Sequence, residues 1–495
     1  MRMEVWEKQP QQRKRQRIIQ IPARLAACTV GVQHAGPLRW KHPDQIIPSR
    51  ADSKIQAAAR IHFDIQVTCV VLHRTEEKLQ AAVLARLSQR PRFLRADHIL
   101  VRVQMYKQPV GSTDQLSVAL IHAELVLHDH FVPEAVLFIE DGIISGFGEM
   151  RTTPIPDGCE IIDLKGAYLG PGMIDIHTHG ADGVFFPEDP LRAARFFLRH
   201  GTTTVLPALY FSMNTAQYVE AIEKIKLAMQ QPDGKNIAGF YMEGPYLNPK
   251  FGCDKEHNPW KGPVAKENYQ PIIDCAGALA RVWALAPERE NILQFVLDAK
   301  KANPEARFTV AHSEASPQQI EALMPCGLCI GTHHTNATGD RFRYSETRGV
   351  CVDEAVNYNR DIFAELICDS RGIHVDPYML RLVRRIKGDD RIILISDVYV
   401  ADGPVPEEFA GVTDINFDHS GEIAGSNLTL EVACRNMMKH TGASMVDVFN
   451  YASYNPARVL GMTDRGEIAV GKRADLVAVD HRMNVQKVFF KGELQ

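Results

Sequence analysis

The stretch that decides the fold is GMIDIHTH, residues 172–179. It is a short run rich in apolar and β-branched residues, and it ends in two histidines separated by one threonine. A short apolar run bounded by glycine is typical of a strand that is buried on both faces. The pattern therefore predicts a core strand that ends in two polar residues, His177 and His179.

Seven further runs of this kind follow before residue 400, and a helix-like stretch comes after each of them. They are TTTVLPAL (202–209), NIAGFYME (236–243), ARVWALAP (280–287), RFTVAHS (307–313), GLCIGTHH (327–334), IFAELICD (362–369) leading into GIHV (372–375), and RIILISD (391–397). Eight alternations of strand and helix in roughly 230 residues meet the requirement of a closed parallel barrel. The sequence thus predicts an α/β protein with a (β/α)8 TIM barrel over residues 171–404.

Strand-like segments flank the predicted barrel on both sides. Residues 116–149 alternate apolar and polar positions around a turn at Asp141-Gly142, and residues 466–494 have strand character again. We expect the two blocks to pair into a small β-sandwich domain outside the barrel. Its predicted boundaries are residues 116–170 and 405–495.

The N-terminal part, residues 1–115, shows no sustained period and no motif. Residues 1–110 carry 20 Lys and Arg against 8 Asp and Glu, whereas the remainder has a net charge of −16. We predict a poorly ordered basic extension, of the kind that a start codon assigned too far upstream would add. An arm that binds RNA or a membrane surface is the alternative. The acidic remainder argues against an enzyme whose working face must neutralise nucleic-acid phosphates.

Cysteine usage and hydropathy indicate the compartment. Ten cysteines lie at no framework spacing, which suits a reducing environment. No apolar run reaches the roughly 18–20 residues of a membrane span, and the basic N-terminus lacks a signal-peptide layout. We therefore expect a cytoplasmic protein that acts on a small molecule and has neither nucleic-acid nor membrane partners.

Polar residues lie at or just after the ends of six predicted strands, where a barrel carries its chemistry. Side chains at positions i and i+2 share one face of a strand, about 6.5 Å apart along the chain, so His177 and His179 can converge on one ion. The other candidates are Glu243, His312, His333, His334, His374 and Asp397. Imidazoles and carboxylates, with one acid left over to move a proton, form the set that a hydrolytic metal centre needs.

Longer motifs surround these residues. They are PGMIDIHTHG (171–180), MEGPYLNP (242–249) with HNP (257–259), LAPE (285–288), AHSEAS (311–316), THHTNAT (332–338), GIHV, LISD (394–397), IAGSNLTL (423–430) and ASYNPARVLGMTDRGEIAVGKRADLVAVD (452–480). From about residue 117 to 491 the chain resembles the amidohydrolase superfamily, and within it the N-acetylglucosamine-6-phosphate deacetylases. The resemblance implies a TIM-barrel hydrolase that converts N-acetylglucosamine 6-phosphate into glucosamine 6-phosphate and acetate.

The resemblance also implies which residues bind metal. Glu243, His312 and His333 match the ligands of the main metal in these deacetylases. His177 and His179 match a pair that adds a second metal in some members, and Glu243 is able to bridge the two ions. The expected cofactor is one or two divalent ions, with zinc as the first choice and iron or another divalent metal as the alternative.

Further residues match the catalytic and substrate-binding positions of that family. Asp397 matches the general acid and base, and His374 matches a histidine that contacts the substrate near the scissile amide. His257 matches a substrate-binding histidine on the loop after strand three, and Asn336 and Ala337 match a pair whose side-chain amide and backbone hold the sugar phosphate. The resemblance also implies a homodimer.

The chain departs from the family pattern after Ala337. The family continues its H-x-x-N-A with Met and later R-E-P-G, whose Arg reaches the substrate phosphate across a dimer interface. This chain has Thr338 and the residues ETRG (346–349) instead, so Arg343 or Arg348 is the candidate substitute. The departure motivates one alternative, an amidohydrolase of the same fold that acts on another N-acyl or amide substrate. A non-catalytic relative is the second alternative, and it is disfavoured because no candidate ligand is missing.

The pair His333-His334 poses a choice, because neighbouring side chains on a strand point to opposite faces. The motif AHSEAS already fills strand five, so this pair ends strand six. In the resembling family the strand-six ligand is followed three residues later by Asn-Ala, which selects His333. His334 is then expected to be a packing residue.

Overall fold

The computed structural model describes residues 117–495 except residues 254, 340 and 341, with backbone alone at residues 342 and 343. It also describes the backbone of five strands nearer the N-terminus. The chain divides into two units, Met1–Asp114 and Gln115–Gln495. The predicted site and all the motifs lie in the second unit.

The described strands of the first unit form two small sheets. Arg2–Glu7 pairs antiparallel with Arg15–Gln20. In the second sheet, Phe63–Val70 pairs antiparallel with Cys28–Val30 and parallel with Ile99–Tyr106. The prediction of a poorly ordered extension over residues 1–115 otherwise falls outside the described residues and stays a prediction.

Eight parallel strands form the barrel, and they are arranged in chain order. They are β1 Met173–Thr178, β2 Thr202–Tyr210, β3 Phe240–Glu243, β4 Ala280–Leu285, β5 Arg307–Val310, β6 Leu328–Gly331, β7 Phe363–Leu366 and β8 Ile392–Leu394. The Asp397 N–H donates to the His177 carbonyl at 2.9 Å and so joins the two ends of the sheet. Every residue of β1 and β2 is buried, as expected for strands covered on both faces. The predicted (β/α)8 barrel is confirmed.

One helix follows each barrel strand. The helices are α1 Pro190–Arg199, α2 Thr215–Ala228, α3 Lys266–Ala276, α4 Ile292–Ala302, α5 Pro317–Leu323, α6 Val352–Tyr358, α7 Pro377–Lys387 and α8 Leu430–Thr441. Capping boxes at Asn214 and Ser316 start α2 and α5, so local sequence determines where these helices begin. Among the described residues, no helix combines the length and apolar character that crossing a membrane requires.

Strands from both flanks of the barrel share one sheet. They are Val118–Val126, Phe131–Glu140, Ile143–Glu149, Glu160–Asp163, Tyr168–Pro171, Leu476–Val479, Val485–Phe490 and Glu493–Leu494. Tyr168–Pro171 pairs antiparallel with Leu476–Val479, and this pairing joins the two flanks. Leu120, Leu137 and Phe489 belong to a separate apolar core. The predicted second domain from both flanks, consistent with a β-sandwich, is confirmed.

The helical segment before the last strands packs on the barrel. It comprises α8, the short helices Met445–Phe449 and Asn455–Val459, and the π-helical turn Asn450–Tyr454 between them. Leu430 and Phe449 belong to the same hydrophobic cluster as the barrel strands. The boundary predicted at residue 404 assigns this segment to the sheet domain, whereas its buried side chains contribute to the barrel core.

Candidate metal centre and active site

Six predicted site residues converge at the carboxyl ends of the barrel strands. One element positions each of them: β1 and its end carry His177 and His179, β3 ends at Glu243, and the residues just after β5, β6 and β8 include His312, His333 and Asp397. All six side chains are buried. Parallel strands of a barrel end at one rim, so residues far apart in the sequence meet there.

Glu243 lies between two pairs of histidines. Its Oε2 is 3.7 Å from His177 Nε2 and 3.0 Å from His179 Nε2. Its Oε1 is 2.9 Å from His312 Nε2 and 3.4 Å from His333 Nε2. We call the first set (His177, His179, Glu243) the His177 half and the second (His312, His333, Glu243) the His312 half. Within each half, ligand atoms of the three side chains lie within 4.8 Å of one another.

The donor set fits a divalent metal. Imidazole nitrogens and a carboxylate are the ligands that zinc and similar ions prefer. In the described part of the chain, His177 Nε2 and Glu243 Oε2 are buried and make no hydrogen bond of good geometry, although Oε2 lies 3.0 Å from His179 Nε2. Buried polar atoms in native proteins normally have one, and an ion would satisfy both of these atoms. The geometry therefore suits two ions that share Glu243.

Asp397 stands beside the His177 half. Its Oδ1 is 3.6 Å from His177 Nε2 and 3.4 Å from His179 Nε2. Burial by itself raises the pKa of Asp397, but the charge of His177 and the contact with His179 outweigh it and lower the pKa to about 2. In Glu243 the effect of burial is likewise outweighed by the histidines, chiefly His177, so its pKa is well below the ordinary value. Both side chains are therefore carboxylates at neutral pH.

The backbone at three of these positions is left-handed. The φ angles are +43° at His312, +27° at His333 and +49° at Asp397. Residues with side chains rarely adopt such angles, and those that do are concentrated at functional sites. The His312 carbonyl accepts a hydrogen bond from Asn248 N–H at 3.0 Å, which links the strand-five residue to the loop after β3.

The carboxylates of Glu288, which is partly buried, and Asp175, which is fully buried, contact the residues around the site and were not among the predicted residues. Glu288, the last residue of LAPE, accepts hydrogen bonds from Ser313 Oγ at 2.6 Å and from Asn248 Nδ2 at 2.9 Å, and so braces the residues around His312. Asp175 accepts from His177 N–H at 3.2 Å, and burial raises its pKa to about 7. A charged residue inside a strand with an otherwise apolar pattern was the available signal for Asp175.

His374 lies in the loop after β7. Asp369 shapes this loop, because its carboxylate accepts hydrogen bonds from Ile373 N–H at 2.9 Å and from His374 N–H at 2.8 Å. The same carboxylate is 3.4 Å from His374 Nδ1. Burial raises the pKa of Asp369, but the His374 side chain and the backbone donors outweigh it and hold this pKa well below its ordinary value. The arrangement orients the His374 ring.

The four predicted substrate-binding positions other than His374 divide into two groups. Asn336 and Ala337 form a turn beside the His312 half, because Asn336 N–H donates to the His333 carbonyl at 2.9 Å and Ser313 N–H donates to the Ala337 carbonyl at 3.2 Å. His257 is exposed in the turn Lys255–His257, and Arg348 is an exposed hairpin residue whose guanidinium pairs with Glu354 at 2.6 Å. The side chain of Arg343 lies outside the described residues. The substrate roles of these residues stay predictions.

His334 lies apart from the clustered ligands. Its Nε2 is 3.2 Å from Asn357 Oδ1, and its backbone N–H donates to the Glu365 carbonyl at 2.7 Å. Burial lowers the pKa of His334 to about 4. The structure thus separates the two neighbouring histidines, with His333 in the His312 half and His334 packed against α6.

The fold and the rim together define a TIM-barrel hydrolase with a candidate metal centre. The chain belongs to the Amidohydrolase family, whose profile matches residues 168–494. It is a hydrolase that acts on amide C–N bonds, as predicted.

Particular relatives are deacetylases of amino-sugar phosphates. The chain is 29% identical to N-acetylgalactosamine-6-phosphate deacetylase of Escherichia coli O157:H7 over 384 residues, which cover 75% of this chain and 97% of that protein. It is 29% identical to N-acetylglucosamine-6-phosphate deacetylase of Bacillus subtilis (strain 168) over 388 residues, which cover 75% and 95%. A mutant N-acetyl-D-glucosamine-6-phosphate deacetylase from Mycobacterium smegmatis, solved in complex with N-acetyl-D-glucosamine-6-phosphate, matches with a TM-score of 0.65 at 25% identity and covers 77% of this chain and 99% of that chain. The resemblance stated from the motifs is confirmed.

Proposed function

We propose that this chain removes the acetyl group of an N-acetylated amino-sugar phosphate, most simply N-acetylglucosamine 6-phosphate, and releases acetate and glucosamine 6-phosphate. The observation that carries the proposal is Glu243 between two histidine pairs, with Asp397 3.4 Å from the nearer imidazole. The relatives named after this reaction and its galactosamine counterpart support the substrate class.

Both halves of the centre serve as metal sites in this proposal. Glu243, His312 and His333 would hold one divalent ion, and His177, His179 and Glu243 would hold a second. Zinc is the proposed metal, with iron or another divalent ion as the alternative. When bound, such an ion supplies Lewis-acid chemistry, which polarises a carbonyl and lowers the pKa of water.

Asp397 moves the proton in the proposed reaction. It accepts a proton from the attacking water, whose oxygen bonds to the acetyl carbon, and it returns that proton to the sugar nitrogen when the C–N bond breaks. The ordinary pKa of an aspartate side chain is near 4, so Asp397 is deprotonated at neutral pH before the reaction begins. His374, oriented by Asp369, donates a hydrogen bond to the carbonyl oxygen as negative charge develops there.

The remaining predicted residues hold the sugar. Asn336 and Ala337 lie next to the His312 half and contact the sugar, His257 contacts it from the loop after β3, and Arg348 reaches its phosphate. An exposed ion pair is worth roughly 0–1 kcal/mol, so Arg348 is able to exchange Glu354 for a phosphate group. The zinc content, the homodimer and the cytoplasmic location stay predictions.

The substrate is tested by comparing kcat/KM for N-acetylglucosamine with and without the 6-phosphate, and for N-acetylgalactosamine 6-phosphate. Hydrogen bonds to charged groups contribute about 1.5–3 kcal/mol, so we expect the phosphate to raise kcat/KM by about 10–100-fold. Equal turnover of the free sugar and its phosphate, or no turnover of either, would contradict the proposed substrate.

A matched pair of variants tests the phosphate contact. Arg348→Ala is expected to raise KM for the phosphorylated sugar and to leave the free sugar unaffected. Arg151→Ala is the control, because Arg151 has the same side-chain exposure of 80% and also pairs with a glutamate, Glu149 at 2.5 Å. An equal KM in the two variants would show that Arg348 does not contact the phosphate.

The alternative substrate class is another N-acyl amine or amide. It is favoured by the exposure of Arg348 and by the changed segment after Ala337, because both leave the phosphate contact without a buried partner. Assaying a panel of N-acyl amines on the same preparation separates the two, since this alternative predicts that an unphosphorylated substrate is hydrolysed fastest.

A further inference from the structure

Glu365 is a buried carboxylate directly behind the His177 half. It lies on β7 and is fully buried, with Oε2 3.3 Å from His177 Nδ1. A carboxylate oxygen accepts hydrogen bonds, so in the neutral imidazole the proton lies on Nδ1 and the lone pair on Nε2. Nε2 is the atom that faces Glu243 Oε2 at 3.7 Å and Asp397 Oδ1 at 3.6 Å.

Tyr241 holds both the carboxylate and the imidazole ring. Its Oη donates to Glu365 Oε2 at 3.2 Å and lies 2.8 Å from Thr332 Oγ1. Its ring stacks on His177, with centroids 4.1 Å apart and planes inclined by 22°. The network therefore links residues of β1, β3 and β7 with the residue after β6. Because every member is buried, it restricts His177 to one ring orientation.

The side chain of Glu365 contacts the His177 half, whereas its main chain contacts the residue that follows His333. The carboxylate contacts His177, whereas the main-chain carbonyl accepts from His334 N–H at 2.7 Å, one residue after His333. A substitution at position 365 removes the first contact and leaves the second. The His312 half is also braced separately, through Glu288 and Ser313.

We propose that Glu365 is a positioning residue that makes His177 a competent metal ligand, and that its carboxylate determines whether the His177 half retains an ion. The inference rests on the metal sites of the proposed function and is independent of which substrate the enzyme hydrolyses. Removing a hydrogen-bond partner of a metal-binding histidine typically weakens metal affinity by about 10–100-fold. We expect a loss of this size at one half of the centre.

The test is metal binding by full-length Glu365→Gln, a substitution that keeps the size of the side chain. Zinc per chain is measured by elemental analysis after dialysis, and zinc affinity by competition with a chromophoric chelator. The wild type is expected to bind two ions, whereas Glu365→Gln binds one with unchanged affinity and the second about 10–100-fold more weakly. The absorption spectrum of the cobalt-loaded protein, which reports ligand geometry, should lose one component.

Two further variants make the result specific. Glu431→Gln is the matched control, because Glu431 is a buried carboxylate 2.7 Å from His200 Nδ1, and neither residue belongs to the two halves. It should keep both ions. His177→Asn defines complete loss of the ion that depends on His177.

Three outcomes would overturn the inference. The first is that Glu365→Gln binds both ions with wild-type affinity. The second is that His177→Asn leaves the metal content unchanged, which would mean that no ion depends on His177. The third is loss of both ions from Glu365→Gln, which would show that the effect is not confined to one half. Retention of one ion also shows that the variant has folded. If the proposed substrate is wrong, only the comparison of kcat/KM between sugars would show it, because zinc content and zinc affinity are measured without substrate.

Discussion

The carboxyl-end rim of the barrel and the sheet domain both bury side chains, but the buried side chains differ in chemistry. The core of the sheet domain consists of apolar side chains such as Leu120, Leu476 and Phe489. The rim buries imidazoles and carboxylates, among them His177 and Glu243. Burying apolar surface favours folding, whereas burying a polar group costs free energy unless it is paired. Burial in the sheet domain therefore stabilises the folded chain, whereas burial of polar groups at the rim costs free energy and creates a reactive site.

Glu243→Gln should have the largest effect on metal binding and hydrolysis at the rim. Glu243 is the residue common to both halves, and an amide nitrogen cannot act as a carboxylate ligand. We expect zinc affinity to fall by more than about 100-fold, which exceeds the effect of losing an outer partner, and hydrolysis to fall to background. Elemental analysis and an acetate-release assay measure the two quantities. Retention of both ions would show that Glu243 does not bridge them.

Asp397→Asn should abolish proton transfer without emptying the centre. Asp397 belongs to neither metal-binding group, so the metal content should stay at the wild-type level. General acid–base groups contribute about 10²–10⁴-fold to rate, and kcat should fall by that factor. Asp233→Asn, at an exposed residue paired with Arg195, is the control and should keep wild-type kcat. A raised KM at unchanged kcat would instead assign Asp397 to substrate binding.

Leu476→Ala should destabilise the sheet domain without changing metal binding or catalysis at the rim. Leu476 is fully buried in the sheet-domain core, and removing such a side chain costs about 2–5 kcal/mol in the free energy of unfolding. Urea unfolding measures the cost, and metal content and kcat should not change under native conditions. Leu494→Ala serves as the control, because Leu494 is 49% exposed in the same sheet and should change stability by about 0.5 kcal/mol or less. Loss of metal from Leu476→Ala would show that the two regions are coupled.

Asp369→Asn should change how the free energy of unfolding depends on pH, and its expected effect is the smallest of the four. The pKa of Asp369 is lower in the folded chain than in the unfolded chain, so its contribution to stability is complete above the unfolded pKa near 4 and is lost as pH falls below it. At pH 7 the substitution should lower the free energy of unfolding by about 1–3 kcal/mol, because the amide cannot accept all the backbone hydrogen bonds. Urea unfolding at pH 7 and pH 3 should show this difference shrinking at the lower pH. An equal difference at both values would mean that Asp369 does not titrate with the predicted sign.

The sequence predicted the barrel because its signals are local. A run such as TTTVLPAL specifies a buried strand by its own composition, and Asn214 specifies the start of a helix by its own hydrogen bond. The strand-end residues were predictable for the same reason. A polar residue at the end of an apolar run can be recognised from the sequence without knowing which residue it contacts. The helical segment between residues 430 and 459 was harder to assign to a domain, because its apolar pattern does not indicate whether it packs on the barrel or on the sheet.

The carboxylates that position the site were not predictable in this way. Glu365 and His177 are 188 residues apart, and Glu288 reaches Ser313 25 residues further along the chain. Nothing in the residues around Glu365 indicates an imidazole as its partner. Such contacts exist because barrel closure brings distant strands together.

By itself, the sequence determined which polar residues stand at or just after the ends of six of the eight strands, because an apolar run and the residue that closes it span only a few positions. The alternation of faces along a strand indicated that the two adjacent histidines of strand six have different roles, and the resemblance to the deacetylases selected His333 as the ligand. Only the tertiary structure decided that one oxygen of Glu243 faces the His177 half and the other faces the His312 half. A side chain adopts such an orientation when closely packed neighbours leave it one rotamer, and those neighbours come from strands that meet only when the barrel closes.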